Sequence, residues 1–355
     1  MNTRILYLHG RPGPHFMHKT LAHSLGVISK PVDDDLRWQD QGFGALKNLY
    51  AWIKNALNYK KYSGFEFILV DGLHFSPIIA RKLGVLPKHL KIISHMGNQL
   101  PYFMLAKQIP FYSRIMHKWL LNNYDAIFCE GEMIREIIQT LRPDIKTKLL
   151  CTFLGPSTGR VHSLRAIEPE FKGFNLISIA SGPSAARIYY KGLDIMVEAF
   201  LQAKKTLPGL KYYIVGDWSE EDIKSLTRKF NPEDLKTIFF LGHQSDIDSY
   251  IKNSDLNIHV ARGDAFPTST IEAMHAGLPI IVSNYTGTKQ ILKGVNPDLI
   301  INLSSEDLAK KIIWFFGLSL LEKQEISVKE KQAAEKFTEV NAIEHYRKTF
   351  DELVK

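Results

Sequence analysis

Short apolar runs alternate with longer amphipathic stretches along most of the chain. The runs are nearly continuous, as expected for strands that are buried on both faces of a sheet. The predicted strands are 4–8, 65–70, 91–94, 126–129 and 148–153 in the first half, and 174–180, 210–216, 237–242, 256–261, 279–283 and 298–301 in the second. Helical patterns such as 193–205 and 246–254 lie between them. This alternation predicts an α/β fold of parallel sheets with helices on both faces.

The chain has 355 residues, which is long enough for two domains. The segment 155–173 is rich in glycine, proline and serine and shows no period, so we expect a break there. We predict doubly wound, Rossmann-like domains over 1–165 and 166–331, and one C-terminal helix within 332–355 that crosses back to the first domain. Ligands of such sheets bind beyond the carboxyl ends of the strands, which would place a site in the cleft between two facing domains.

The composition excludes several classes of protein. With 45% hydrophobic and 23% charged residues, the chain has the balance of a globular protein. It contains no apolar run of about 18 residues, and residues 1–15 lack a signal-peptide pattern. Its two cysteines, Cys129 and Cys151, exclude a disulfide framework and a cysteine-rich metal site. We therefore expect a protein of the reducing cytoplasm.

Charge is unevenly distributed along the chain. The net charge is +8, and residues 1–150 carry 20 lysines and arginines against 11 acidic residues, which leaves 151–355 close to neutral. A basic first half indicates an anionic partner: nucleic acid, anionic lipid or a phosphorylated acceptor. A solvated basic face is the alternative. Two basic amphipathic stretches, 43–57 and 111–121, favour an anionic membrane surface, unless their apolar faces pack on the sheet.

The most informative segment is 264–279, because it follows the predicted strand 256–261 and so lies at a carboxyl end. Ser269 with Glu272 fits a capping box, and we expect a short helix that begins near Thr270. A helix N-terminus at this point suits a phosphate. Glu272 would lie one turn into the helix, where its carboxylate could accept hydrogen bonds from a ribose diol. The alternative is that Glu272 only completes the capping box.

The same segment resembles the E-x7-E region of retaining glycosyltransferases with the GT-B fold, family 4, also called glycosyl transferases group 1. It contains Asp264, seven residues, Glu272, and then Ala273, Met274, Gly277 and Pro279. Segments 189–200, 212–218 and 239–261 resemble further parts of that family in the same order and spacing. The resemblance covers about 174–300 well and is weaker over the first half.

The resemblance implies a GT-B architecture of two facing Rossmann-like domains. It also implies transfer of a hexose or N-acetylhexosamine from a nucleotide-diphosphate donor with retention, without a metal ion, another cofactor or a covalent intermediate. Cations and backbone dipoles would neutralise the leaving diphosphate. We expect a UDP-sugar as donor and a glycan, a lipid-linked sugar or another hydroxyl compound as acceptor. We expect no nucleic-acid partner, and a location in the cytoplasm that includes the inner face of the membrane.

Three catalytic residues are implied by the resemblance: His95, Lys191 and Asp264. His95 would lie over the reactive face of the donor sugar, and Lys191 would bind phosphate. Asp264 would contact sugar hydroxyls, although its side chain is one methylene shorter than the glutamate that is usual there. The family's second phosphate-binding residue is an arginine at the position of Ala185, and Arg187 is the nearest substitute.

Further residues are implied in donor binding. The glycine at position 13 would let the backbone approach the phosphate or the sugar. Pro267 has no N–H, so the amides of Phe266 and Thr268 would make the contacts of this loop. The full set of implied donor-binding residues is Gly13, Arg187, Lys191, Gly216, Asp264, Phe266, Thr268, Ser269 and Glu272.

Two other functions stay open on the sequence. The first is that of another GT-B enzyme, either an inverting transferase or a nucleotide-sugar epimerase. The second is a protein that holds a sugar nucleotide or a glycan without turnover, which the aspartate at 264 and the alanine at 185 would favour. A phosphate-loop ATPase and a dinucleotide-binding enzyme are disfavoured, because neither glycine-rich motif is present.

Overall fold

The computed structural model describes residues 4–10, 16–31, 44–182 and 185–354. The chain divides into two compact units: unit 1 comprises Met1–Thr152 with Ala342–Lys355, and unit 2 comprises Phe153–Asn341. Each unit contains one six-stranded sheet, and the paired strands of both sheets are parallel. The predicted α/β fold with two doubly wound parallel sheets is confirmed.

In unit 1 the strands are β1 (Ile5–His9), β2 (Ile28–Pro31), β3 (Phe67–Asp71), β4 (Lys91–Met96), β5 (Ala126–Glu130) and β6 (Lys148–Thr152). They lie in the order β2-β1-β3-β4-β5-β6. The helices between them are α1 (Phe16–His23), α2 (Gly44–Asn58), α3 (Phe75–Lys82), α4 (Leu100–Leu105), α5 (Phe111–Leu121) and α6 (Glu132–Leu141). The sequence did not predict β2, because this exposed edge strand has no apolar run and ends on a proline.

In unit 2 the strands are β7 (Asn175–Ile179), β8 (Lys211–Val215), β9 (Ile238–Gly242), β10 (Leu256–His259), β11 (Ile280–Ser283) and β12 (Ile300–Ile301). They lie in the order β12-β11-β10-β7-β8-β9. The helices are α7 (Thr158–Arg165), α8 (Ala185–Lys191), α9 (Leu193–Lys204), α10 (Glu220–Thr227), α11 (Pro232–Leu235), α12 (Ile247–Lys252), α13 (Thr268–Ala276), α14 (Lys289–Leu292), α15 (Ser305–Gly317) and α16 (Leu320–Ala334), followed by α17 (Glu339–Val354). Of the helices described in either unit, none has the length and apolar character that crossing a membrane requires.

The division between the units falls between Thr152 and Phe153, ahead of the predicted boundary at 165/166. The intervening residues pack in unit 2, because Leu164 and Ile167 belong to the same core cluster as the strand residue Ile177. The connection between unit 1 and unit 2 therefore precedes α7.

The last stretch of the chain is two helices, and the predicted single helix over 332–354 is wrong. The helix α16 ends at Ala334 and α17 begins at Glu339. Before α17, Thr338 Oγ1 accepts a hydrogen bond from the Asn341 amide at 3.3 Å. This side chain satisfies a backbone donor at the start of the new helix, as an N-cap does.

Most of α17 belongs to unit 1. The ring of Phe350 meets the ring of Phe67 on β3 at 4.9 Å between centroids. The ring of Tyr346 meets that of Phe128 on β5 at 5.2 Å in an edge-on arrangement. Residues at both ends of the chain therefore contribute to the core of unit 1.

Candidate active site

The carboxyl ends of β7, β8 and β9 are tied together by backbone hydrogen bonds in unit 2. The Gly182 amide donates to the Asp217 carbonyl at 3.1 Å, and the Gly216 amide donates to the Gly242 carbonyl at 2.9 Å. The His243 amide donates to the Asp217 carboxylate at 3.1 Å. The three loops therefore form one ordered edge, which is where a doubly wound sheet binds ligands.

Gly216 is required at this edge by its conformation and its surroundings. Its φ is +134°, a region that side chains rarely adopt. A Cβ at this position would also overlap the Ala180 carbonyl oxygen. The structure thus explains why a glycine stands where the sequence predicts donor contact; the contact itself stays a prediction.

Four side chains, which we call the Asp264 cluster, meet beside this edge: Asp264, Lys191, His259 and Tyr190. Lys191 Nζ lies 2.6 Å from Asp264 Oδ2, and His259 Nε2 lies 2.9 Å from the same oxygen. The Tyr190 hydroxyl donates to Oδ1 at 3.2 Å. Two predicted site residues, Lys191 and Asp264, are therefore brought together as an ion pair.

The electrostatics of the Asp264 cluster favour a carboxylate. Burial alone would raise the pKa of Asp264, but the charge of Lys191 and the hydrogen bond to His259 hold this pKa far below its usual range. Burial lowers the pKa of His259, against the opposing effect of Asp264. Because an ionised carboxylate only accepts hydrogen bonds, the neutral His259 ring donates from Nε2.

Lys191 is positioned by a glycine and an arginine. It ends α8, and Gly192 follows in the left-handed conformation with φ +72°. A Cβ on Gly192 would overlap the Val260 carbonyl oxygen, so only glycine fits at this position. Arg262 then makes two hydrogen bonds of 2.8 Å to the Asp194 carboxylate, which fixes the start of α9 against the loop after β10.

Arg187 lies close to Lys191. The guanidinium of Arg187 and the ammonium of Lys191 are each 5.2 Å from the centre of the Tyr190 ring. Arg187 also donates to the Ser181 carbonyl at 3.2 Å. The structure therefore places the two predicted phosphate-binding cations on one aromatic side chain.

The helix α13 begins at Thr268 with Pro267 as its N-cap, so the predicted start near Thr270 is wrong. The predicted capping box of Ser269 and Glu272 is also wrong, because Ser269 lies inside the first turn and no side chain caps this helix. Thr270 Oγ1 instead donates to the Pro267 carbonyl at 2.7 Å. The local pattern was compatible with a capping box, but the helix starts two residues earlier.

Glu272 is held by an arginine and not by the backbone at the start of α13. Its carboxylate accepts from Arg160 Nη2 at 3.3 Å, and the same guanidinium also pairs with Asp248. Burial raises the pKa of Glu272, and the charge of Arg160 opposes this. The side chain keeps 23% of its surface exposed, which leaves it accessible to a ligand.

The Phe266 ring is a core side chain. It is 2% exposed and packs against the rings of Phe153 and Phe337 at 6.4 and 5.5 Å between centroids. The loop is anchored by Gly287, whose amide donates to the Asp264 carbonyl at 2.8 Å. Contact with a ligand at Phe266 would therefore fall to its backbone, as the sequence predicts.

His95, at the carboxyl end of β4, is fully buried in unit 1. Its ring lies 4.5 Å from the His18 ring, and its Nε2 lies 3.8 Å from Glu130 Oε2. Within the described parts of the chain, neither ring nitrogen of His95 has a hydrogen-bond partner. Burial, reinforced by the charge of His18, lowers the pKa of His95 to about 3. The imidazole is therefore neutral.

His18 and two carboxylates complete what we call the His95 cluster: His18, Asp71, His95 and Glu130. His18 Nδ1 lies 3.0 Å from Asp71 Oδ1, and His18 Nε2 lies 2.8 Å from Glu130 Oε2. Burial alone would lower the pKa of His18, but these two carboxylates raise it to about 10. Three of these residues, His18, Asp71 and Glu130, were not predicted as site residues. The available signal was that Asp71 and Glu130 directly follow the predicted apolar runs 65–70 and 126–129. The predicted site residue Gly13 lies outside the described residues.

Comparison with known proteins supports the resemblance. Residues 183–336 match the family model of glycosyl transferases group 1. An uncharacterized glycosyltransferase of Haemophilus influenzae is 30% identical over 106 residues, which is 29% of this chain and 30% of that protein. The amylovoran biosynthesis glycosyltransferase AmsK of Erwinia amylovora is 25% identical over 251 residues, 67% of this chain and 58% of that protein. The matches thus span about a third to three fifths of these relatives.

Solved structures are similar over the whole length. The Anabaena protein HepE, in complex with UDP and glucose, has a TM-score of 0.64 at 15% identity and covers 99% of this chain and 100% of its own. A structure described as trehalose-6-phosphate from E. coli, bound with UDP-2-fluoro glucose, has a TM-score of 0.71 at 14% identity and covers 99% of both chains. The match to glycosyl transferases group 1 thus covers residues 183–336, and the likeness to these solved structures shows the two-domain GT-B fold over the length of the chain.

Proposed function

We propose that the protein transfers a hexose or N-acetylhexosamine from a nucleotide-diphosphate donor to a hydroxyl acceptor, with retention. The observation that carries this proposal is the Asp264 cluster. It joins Lys191 to Asp264 at 2.6 Å at the carboxyl edge of a sheet, inside the region that matches the family. A cation and a fixed carboxylate side by side suit a ligand that has a phosphate next to a sugar.

Lys191 and Arg187 would supply positive charge to the donor diphosphate. The charge on the leaving diphosphate grows as the glycosidic bond breaks, so a fixed cation stabilises the transition state more than the ground state. The first amides of α13, at Thr268 and Ser269, add donors that have no partner within the helix. We therefore propose transfer without a divalent cation on the diphosphate. Added Mg²⁺ or Mn²⁺ should leave the KM for the donor unchanged.

Asp264 would orient the sugar. Tyr190 and His259 hold its carboxylate in place, at 3.2 and 2.9 Å. Each carboxylate oxygen can accept two hydrogen bonds, so Oδ1 can accept a sugar hydroxyl in addition to Tyr190. Because aspartate is one methylene shorter than glutamate, the sugar must approach the backbone of this loop more closely.

The nucleoside would be held by Glu272 and by the edge of the sheet at Gly216. Glu272 is partly exposed and already pairs with Arg160, so ribose hydroxyls would share this carboxylate with the guanidinium. A UDP-sugar is the proposed donor, which the UDP bound in HepE and the UDP-2-fluoro glucose of the E. coli structure support.

In unit 1, we propose that the neutral His95 ring contacts a sugar hydroxyl and that the backbone at Gly13 approaches the donor. No side chain is assigned as nucleophile. We propose that the leaving phosphate helps to deprotonate the acceptor hydroxyl, as the resemblance implies, without a covalent intermediate.

The first experiment is a thermal-shift panel of UDP-, GDP- and ADP-sugars. A donor at 100 times its Kd should stabilise the fold by about 2.7 kcal/mol. Nucleotide release in the presence of candidate acceptors then tests turnover, and the anomeric configuration of the product tests retention. Binding without nucleotide release would favour the non-catalytic alternative. An inverted product, or an epimerised donor, would favour another GT-B enzyme, and no binding of any nucleotide sugar would contradict the proposal.

We further propose that the acceptor is carried by an anionic membrane surface and is met by α5. This helix buries Leu120 on its inner side, whereas Phe111, Ile115 and Trp119 are 69%, 52% and 41% exposed. Arg114 and Lys118 lie on the same helix. Packing on the sheet therefore accounts for only part of the apolar surface of α5. Its exposed aromatic and basic residues together favour contact with a membrane surface. For α2, the predicted face falls partly outside the described residues.

Vesicle binding tests this assignment. Because each cation near an anionic surface contributes about 1 kcal/mol, Arg114→Ser with Lys118→Ser should weaken binding to phosphatidylserine vesicles by roughly 30-fold at low salt. The matched control is Lys224→Ser with Lys229→Ser in unit 2, which should leave vesicle binding unchanged. Wild-type protein that ignores anionic vesicles at low salt would contradict the membrane assignment and favour a soluble acceptor.

A further inference from the structure

The His95 cluster has the composition of a transition-metal site. One ring nitrogen of His18, one ring nitrogen of His95 and one Glu130 carboxylate oxygen lie within 4.8 Å of one another. The three side chains are 11%, 0% and 4% exposed. Two imidazoles and one carboxylate are ligands that Zn²⁺ accepts, whereas Mg²⁺ and Ca²⁺ select oxygen ligands.

The distances between the ligand atoms must adjust to fit a tetrahedral ion. With bonds of about 2.0–2.2 Å, ligand atoms around Zn²⁺ lie about 3.3–3.6 Å apart. In this structure, Glu130 Oε2 is 2.8 Å from His18 Nε2 and 3.8 Å from His95 Nε2. The first pair must separate and the second must approach, each by about half an ångström. The histidine nitrogens lie within 4.8 Å of each other and must close by up to about 1.5 Å, which requires the side chains to rotate.

Asp71 supplies the support that a metal-bound histidine requires. Its carboxylate lies 3.0 Å from His18 Nδ1, on the opposite side of the ring from Glu130. A carboxylate on one ring nitrogen fixes the tautomer and directs the lone pair of the other nitrogen to the metal. The charges also match, because the two carboxylates, Asp71 and Glu130, balance one divalent cation when both histidines are neutral.

Within the described residues, His95 is the member of the His95 cluster whose ring nitrogens both lack a hydrogen-bond partner. It is also fully buried. Buried polar atoms without partners are rare and costly, so this one calls for an explanation. An ion bound to His18 and Glu130 would give His95 Nε2 a ligand to bind.

Gly97 borders the same space. A Cβ on this residue would overlap the Glu130 carboxylate and lie 3.0 Å from His18 Nε2. The backbone therefore approaches the two ligand atoms as closely as a residue without a side chain allows. Even one methyl group would push Glu130 away from its present position.

We propose that His18, His95 and Glu130 form a binding site for Zn²⁺ in unit 1, with Asp71 as the carboxylate that orients His18. Three protein ligands leave the fourth tetrahedral position to water. The ion would join α1 to the ends of β4 and β5. It uses His95 Nε2 and leaves His95 Nδ1, which is also buried in this structure. The site does not depend on the proposed transferase activity, because metal binding is measured without a donor.

The direct test is a Co²⁺ titration of untagged, chelator-treated wild-type protein, followed by visible absorbance. We expect one equivalent of Co²⁺ per chain with the intense bands of tetrahedral coordination, displaced by one equivalent of Zn²⁺. Zn²⁺ should also raise the melting temperature. Failure of the wild-type protein to take up either ion at one equivalent would overturn the proposal.

Variants locate the ion. His95→Ala and Glu130→Gln should each weaken Co²⁺ binding at least 100-fold, and Asp71→Asn should weaken it about 10- to 100-fold. Gly97→Ala should weaken binding with every ligand still present. His89→Ala, which removes an exposed histidine of the same unit, is the matched control and should bind as the wild type does. Unchanged binding in His95→Ala and Asp71→Asn would place the ion elsewhere and overturn the assignment.

Discussion

The two sheets each carry one buried polar cluster at the carboxyl ends of their strands, and the clusters differ in how completely their members are paired. In unit 2, the Asp264 carboxylate accepts hydrogen bonds from Lys191, His259 and Tyr190. One negative charge is matched by one positive charge and by two further donors. The Asp264 cluster is thus complete in the protein alone.

The His95 cluster of unit 1 is not complete in the same sense. His18 has a carboxylate on each ring nitrogen, whereas both nitrogens of the neighbouring His95 lack a hydrogen-bond partner among the described residues. The Asp264 cluster, in which the charges are already balanced, can bind a sugar hydroxyl at Oδ1 and keep all of its present partners. The His95 cluster can instead bind a ligand that gives the ring nitrogens of His95 a partner. We therefore assign a different kind of ligand to each of the two clusters.

The largest effect should follow from removing the cation of the Asp264 cluster. Lys191→Met leaves Asp264 buried without a countercharge, and breaking a buried ion pair from one side costs about 3–5 kcal/mol. Turnover should fall further than donor affinity, because the lysine would act on the leaving diphosphate. Urea unfolding and steady-state kinetics with the donor measure the two effects.

The comparison is sharpened by removing both charges. Lys191→Met with Asp264→Asn should recover much of the lost stability, because no buried charge is then left alone. Lys172→Met is the exposed control: its pair with Glu170 is 78% and 55% exposed, and its loss should cost at most about 1 kcal/mol. Equal instability of the single and double variants would mean that the pair is not the source of the effect.

The sequence predicts the strands of both clusters, and it predicts Lys191 and Asp264 because each lies in a recognisable local motif. It does not predict their contact, since 73 residues separate them. The contact depends on β10 pairing with β7, where Asn257 lies opposite Ile177. Strand order is a long-range property, so local spacing cannot reveal which strand ends become neighbours.

The His95 cluster shows the same limit more strongly. His95 was predicted from a resemblance, but His18, Asp71 and Glu130 come from three other segments without a motif. Their meeting follows from the register of the sheet, in which Asp71 on β3 lies opposite His95 on β4. The wrong prediction at α13 has the opposite cause. Ser269 and Glu272 fit the local pattern of a capping box, but the helix begins before Ser269, so the box does not form.

A second prediction concerns Glu272, the partly exposed carboxylate of unit 2. Glu272→Ala should weaken UDP binding by about 1.5–3 kcal/mol, roughly 10- to 150-fold, because a charge-assisted hydrogen bond to ribose is lost. The fold should remain intact, since Arg160 keeps its pair with Asp248. Titration calorimetry with UDP measures the change.

Ser269→Ala is the matched variant on the same turn of α13. Because Ser269 is not the N-cap, its replacement should change the free energy of unfolding by less than about 0.5 kcal/mol, less than loss of a true cap would cost. UDP affinity that is unchanged in Glu272→Ala would remove this residue from the proposed donor site.

The last comparison concerns Glu330, a buried carboxyl beside which the described residues place no cation. It is fully buried on α16, its Oε1 accepts from the Ile280 amide at 3.3 Å, and its Oε2 has no hydrogen-bond partner in the described residues. Burial raises the pKa of Glu330 well above its usual range. The protonated form is therefore the one that the fold accommodates, which is the reverse of Asp264.

The two carboxyls should accordingly give opposite pH dependences. The folded pKa of Glu330 lies above its unfolded value of about 4.3, so its contribution to stability is full below that pH and is lost as the pH rises towards the folded pKa. For Asp264 the folded pKa is lower than the unfolded value, so stability is lost as the pH falls. Glu330→Gln should flatten the alkaline side of the stability profile in urea unfolding and leave the acid side unchanged, whereas Asp264→Asn should flatten the acid side. An alkaline slope that is unchanged in Glu330→Gln would contradict a raised pKa of this carboxyl in the folded protein.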